Sequence, residues 1–148
     1  MKCLDTGVLV YAADTASPFH ARAKELFEQS IAGKWAACVC EQSLWELAQI
    51  LSNDRFVKKP LSPAAAWKLV DKLWRYPQPV VLNSDETIVR RTFKLMEKHA
   101  SLRSRFAEAH IAATMLAHDV TVLVTADSQT FSAIRELDVE NPFETLFA

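Results

Sequence analysis

The chain has 148 residues, of which 50% are apolar and 24% charged, and its net charge is −1. That balance suits one globular domain with a real core and excludes a disordered or fibrous chain, or one that attracts polyanions through its global field. With only two glycines, Gly7 and Gly33, it also lacks the G-x-G-x-x-G and Walker-type loops that let backbone approach phosphate.

Residues 2–5 form the first predicted strand, and residues 7–12 a short helix broken near Asp14 to Pro18. His20 to Ala32 is amphipathic through Ala23, Leu26, Phe27 and Ser30/Ile31, with Gly33 placed as a helix C-cap. Trp35 to Val39 reads as a strand. Glu41 to Leu51 reads as a helix, with Leu44, Leu47, Ala48 and Leu51 on one face. A polar, basic connection over residues 52–60 leads to Ser62-Pro63, an N-cap followed by a first-turn proline, and a helix to about Arg75. Val80-Val81-Leu82 is a short strand. Ser84 to His99 is helical, with Ile88, Val89, Thr92, Phe93, Leu95 and Met96 expected to face inward. Arg105 to His118 is the most apolar helix. The strand Thr121 to Val124, a helix from Ser128 to Arg135 and an extended piece at Leu137 to Val139 complete the pattern.

Short, continuously apolar strands alternating with helices predict a mainly parallel sheet covered on both faces, in one three-layer α/β/α domain over residues 1–148. The three cysteines, Cys3, Cys38 and Cys40, have no partners at zinc spacing and are expected to be buried, reduced thiols. No signal peptide and no apolar run of membrane-spanning length is evident, so a cytoplasmic location is expected.

Four acidic residues fall at suggestive places. Asp5 and Asp127 each follow an apolar strand and so lie at the sheet's carboxyl edge, where each could equally cap the next helix. Glu46 shares a polar stripe with Gln42 and Gln49, which a solvated face explains as well. Glu108 sits among apolar neighbours, which favours a site, although an arginine partner would account for it equally. Carboxylates converging at one edge repel one another. A divalent cation removes that conflict, and oxygen ligands without histidine or cysteine suit Mg²⁺ or Mn²⁺, with metal-assisted phosphodiester hydrolysis as the matching chemistry. Thr6 and Thr125 stand beside the two strand-end acids as auxiliary groups. The four histidines show no zinc spacing, and core packing is the expected role of most of the four tryptophans.

Asp5-Thr6-Gly7-Val8-Leu9-Val10-Tyr11-Ala12 resembles the opening motif of PIN-domain ribonucleases. Ser43-Leu44-Trp45-Glu46-Leu47 resembles their second motif, residues 106–114 the third, and Leu123-Val124-Thr125-Ala126-Asp127 the fourth. The likeness runs nearly end to end and is greatest to stand-alone VapC toxins of toxin–antitoxin pairs. It implies a PIN-like fold and Mg²⁺- or Mn²⁺-dependent cleavage of RNA. It makes Asp5, Glu46 and Asp127 metal-site acids, with Glu108 where the family normally has aspartate, and Gly7 where asparagine is common. It further implies a VapB-type antitoxin and a homodimer. Arg103 and Arg105, just before Glu108, are the expected RNA phosphate contacts. Arg90 to Lys98 reads better as a solvated face. An exposed apolar groove between the helices of residues 41–51 and 63–75 would suit an antitoxin segment. The alternative is a catalytically weakened PIN-like module that binds RNA or antitoxin. An aspartyl-nucleophile phosphatase is disfavoured, because Gly7 occupies the place of its second acid.

Overall fold

Five parallel strands form the central sheet of the computed structural model, which describes residues 1–144. The last four residues of the expected domain, 145–148, lie outside the described residues. The strands are β1 (Lys2–Leu4), β2 (Ala37–Cys40), β3 (Val80–Leu82), β4 (Val122–Val124) and β5 (Asp138–Glu140). Their order across the sheet is β3-β2-β1-β4-β5. Lys2 pairs with Ala37 on one side and with Val122 on the other. The chain therefore moves outward from β1 in both directions, and the crevice between β1 and β4 is the topological switch point where α/β sheets hold their ligands.

The apolar strands alternate between two cores, as a period of two residues requires. Cys3, Cys38, Cys40, Leu82 and Leu123 face one core, while Leu4, Val39 and Val124 face the other. The second core is covered by α1 (Thr6–Ala13), α2 (His20–Ile31), α3 (Glu41–Leu51) and α4 (Pro63–Arg75), through residues such as Val8, Ala23, Leu47 and Val70. The first is covered by α5 (Glu86–Lys98), α6 (Phe106–Ala117) and α7 (Ser128–Phe131), through Leu95, Ile111, Met115 and Phe131. Each fully buried leucine or isoleucine in these layers contributes about 1.5–3 kcal/mol. All three cysteines are buried free thiols, as expected.

Several elements differ from the expectation. β2 starts at Ala37 rather than Trp35, because the ladder with Lys2 begins there and the Ala37 N–H is taken by the Gln78 side chain at 3.1 Å. α7 stops at Phe131 instead of Arg135, since turns at Ile134 and Leu137 aim Ile134 into the core. A 3-10 turn over Ala100–Leu102, not foreseen, delivers buried Leu102.

The tryptophans depart from core packing. Trp45, Trp67 and Trp74 are 53%, 55% and 37% exposed. Each lies one residue beyond a core position (Leu44, Ala66 and Leu73), which turns it about 100° off the buried face. Val89 and Phe93 of α5 are likewise exposed, and the Phe93 ring leans on Phe106 at 5.7 Å. By contrast His110 and Thr114 of α6, which share a polar stripe, are buried. The Thr92 hydroxyl donates to the Ile88 carbonyl and accepts from His110 Nδ1 at 2.9 Å, so burial there is satisfied. The same burial lowers the His110 pKa.

Candidate active site

Asp5, Glu46, Glu108 and Asp127 line one cavity of about 170 Å³ at the carboxyl edge of the sheet, together with Thr6, Gly7, Ala107 and Ile111. Asp5 follows β1, Asp127 follows β4, Glu46 comes from α3 on one face and Glu108 from α6 on the other. Only the crevice of the switch point lets all three layers contribute.

Asp5 is the innermost acid and is 9% exposed. Its backbone N–H extends the sheet to the Val124 carbonyl at 3.0 Å, which fixes the side chain against β4. The Thr6 amide donates to Oδ1 at 2.8 Å and the Thr125 hydroxyl to Oδ2 at 2.6 Å. Burial nevertheless pushes its pKa up to about 6, outweighing those two bonds, and the negative charges of Glu46 and Asp127 push the same way.

Glu46 is held from two sides. The Thr6 hydroxyl donates to Oε2 at 2.7 Å and the Gln42 amide to Oε1 at 2.6 Å. It is therefore turned into the crevice rather than solvated with Gln49. Gln42 also donates to the Ala107 carbonyl at 3.2 Å, tying α3 to the first turn of α6. The sequence pattern puts Gln42 on a solvated stripe, and the structure turns it into the crevice instead. The signal for its role is its i, i+4 spacing to Glu46.

Asp127 caps α7, its Oδ1 accepting from the Thr130 amide at 3.2 Å, while the Asp127 N–H donates to the Thr125 hydroxyl at 3.0 Å. Capping and cavity-lining thus coexist in both strand-end acids. Glu108 occupies the first turn of α6, at the positive end of the helix dipole. Its arginine partner exists: Arg105 Nη1 stands 3.5 Å from Glu108 Oε1 and 4.0 Å from Asp127 Oδ2. Arg103 is exposed and forms no ion pair with any described residue. Lys58 and Lys59 line a different depression of about 730 Å³, with Leu51, Val57, Leu61 and Leu69. Arg90 and Lys98 are exposed and paired with Glu86 and Glu136.

An all-oxygen set of acids, one of them with its proton affinity raised by burial and, less, by Glu46 and Asp127, fits a hard divalent cation. Among the described residues, no three acidic, histidine or cysteine side chains already enclose an ion-sized space. The inner pair, Asp5 and Glu46, is held by hydrogen bonds on both carboxylate oxygens, whereas Glu108 leans on Arg105 and Asp127 on Arg105 and the Thr130 amide.

The family model described as PIN domain matches residues 2–137. Ribonuclease VapC24 of Mycobacterium tuberculosis strain H37Rv is 29% identical over 132 residues, covering 89% of this chain and 90% of that protein. VapC ribonuclease Mb2897 of Mycobacterium bovis is 28% identical over 144 residues, covering 97% of each. Among solved structures, VapC20 of Mycobacterium tuberculosis, titled a sarcin-ricin loop cleaving toxin, superposes with a TM-score of 0.69 at 18% identity, covering 90% of this chain and 95% of that one. DNA-bound VapBC from Salmonella typhimurium has a TM-score of 0.66 at 20% identity, with 95% and 97% covered. These structural likenesses bear on the fold.

Proposed function

This chain belongs to the PIN domain family, and from that premise we propose that it is a Mg²⁺- or Mn²⁺-dependent endoribonuclease and the toxin of a VapBC-type pair. The observation that carries the reading is the meeting of four carboxylates, from four elements and all three layers, around one cavity at the switch point. The curated relatives named VapC ribonucleases, matched over nearly their whole length, support it.

Asp5 and Glu46 would be the fixed ligands, oriented by Thr125, Thr6 and Gln42. Asp127 and Glu108 would complete the set by turning inward. A divalent ion held there supplies Lewis acidity at a phosphoryl oxygen and a more acidic bound water. Arg103 and Arg105, just before α6, would take flanking phosphates of the RNA. The depression lined by Leu51, Val57, Leu61 and Leu69, with Lys58 and Lys59, is the proposed seat of a VapB-like antitoxin, and Trp45 and Trp74, 6.5 Å between ring centres, are exposed on α3 and α4. A homodimer and a cytoplasmic site of action belong to the same reading. Three free buried thiols suit a reducing compartment, and no helix among the described residues is long and apolar enough to cross a membrane.

One observation favours the second reading, a weakened binding module: Glu108 and Asp127 are already engaged by Arg105. Cleavage of a structured RNA with Mn²⁺, by wild type and by Asp5→Asn, separates the two. Cleavage lost in Asp5→Asn supports the nuclease, and equal cleavage by both overturns it.

A further inference from the structure

We infer that Arg105 is a built-in counter-ion of the acid cavity, competing with a divalent cation for Glu108 and Asp127. The inference rests on the metal-site reading above, and deepens it by naming what the cation must displace.

Arg105 is the N-cap residue of α6, so its backbone is anchored while its side chain reaches toward two of the cavity-lining acids. One guanidinium nitrogen reaches both carboxylates, at 3.5 Å and 4.0 Å. Among the described residues, no other basic side chain pairs with any of the four acids. Glutamate at 108 matters here. Its extra methylene extends the carboxylate along the helix turn toward residue 105, at the i, i+3 spacing where side chains meet. The two outer carboxylates thus share the same guanidinium. Both contacts are long for charge-assisted hydrogen bonds, and the Arg105 side chain is 47% exposed, so the latch is weak and free to swing outward. Once the guanidinium leaves, both carboxylates would be free to hold a divalent cation, which carries twice its charge.

The test is Mn²⁺ titration, by calorimetry, of metal-free wild type, Arg105→Gln, Arg105→Lys and Asp5→Asn, with no RNA present. Removing the competing charge is expected to tighten Mn²⁺ binding about two- to fivefold in Arg105→Gln, the effect of losing one or two exposed ion pairs. Arg105→Lys, which keeps the charge, stays closer to wild type. Added salt narrows the difference between wild type and Arg105→Gln, because it screens the pair. Binding by wild type that is lost in Asp5→Asn but unchanged or weakened in Arg105→Gln overturns this inference alone. Absence of Mn²⁺ binding in every variant overturns it together with the metal-site reading.

Discussion

The Thr125 hydroxyl donates to Asp5 Oδ2 at 2.6 Å and accepts the Asp127 N–H at 3.0 Å. A single buried side chain thus holds the acid at the end of β1 and the backbone of the acid beyond β4. Thr125→Val leaves both groups without that partner, and is expected to cost about 1–3 kcal/mol in urea unfolding. Thr125→Ser, which keeps the hydroxyl, should lose less. Equal losses would mean that the methyl group, not the hydrogen bonds, matters.

Asp5 makes the metal-free protein sensitive to pH. Its folded pKa of about 6 lies above its ordinary 3.8, so between those values the folded state binds more protons than the unfolded one. The stability that Asp5 contributes is full below about pH 4 and is lost as pH rises through about 6, by at most about 3 kcal/mol. Thermal unfolding in chelator should therefore show this loss, and Asp5→Asn should flatten it. Mn²⁺ must displace the same proton, so its affinity is expected to rise over that range.

Glu108→Asp withdraws this carboxylate from Arg105 by about one bond and supplies the aspartate that the motif resemblance implies at this position. The expected outcome is a gain in Mn²⁺-dependent RNA cleavage of about tenfold, or roughly 1.4 kcal/mol of barrier. An unchanged initial rate would mean that glutamate serves the site as well.

Neutralising Arg103 and Arg105 together should weaken RNA binding and flatten its dependence on salt. With about 0.7 counterions released per single-strand phosphate contact, the slope of log K against log salt should fall by about 1.4. Binding is best followed with Asp5→Asn as the background, so that the RNA stays intact. An unchanged slope would remove both arginines from the RNA path.

Gly7 sits in the first turn of α1, and a Cβ there would meet no atom within 4 Å. Nothing in its packing demands glycine, so Gly7→Ala should stabilise the fold by about 0.5–1 kcal/mol through the lost chain entropy alone. Denaturant titration checks this, and a loss of stability would point to a backbone role for the glycine.

The layers were legible because they rest on local periodicity. Leu44, Leu47 and Leu51 mark the buried face of α3, and Cys3 and Leu4 alternate between two cores, whatever the rest of the chain does. The strand-end placement of Asp5 and Asp127 follows from the same reading, since an apolar run stops where each begins. Periodicity also misled: Val89 and Phe93 of α5 stay exposed, because each lies one residue, about 100°, beyond the buried positions Ile88 and Thr92.

By itself, then, the sequence determined the element types, the parallel layered architecture, the buried thiols and the four acids worth following. Tertiary structure alone decided their partners: Thr6 and Gln42 on Glu46, Thr125 on Asp5, and Arg105 between Glu108 and Asp127. The physical reason is range. Periodicity and capping are written within a few neighbouring residues, whereas the bond between residues 5 and 125 exists only because β1 and β4 lie side by side. The environment of a charge is a property of the folded neighbourhood, and no spacing along the chain encodes it.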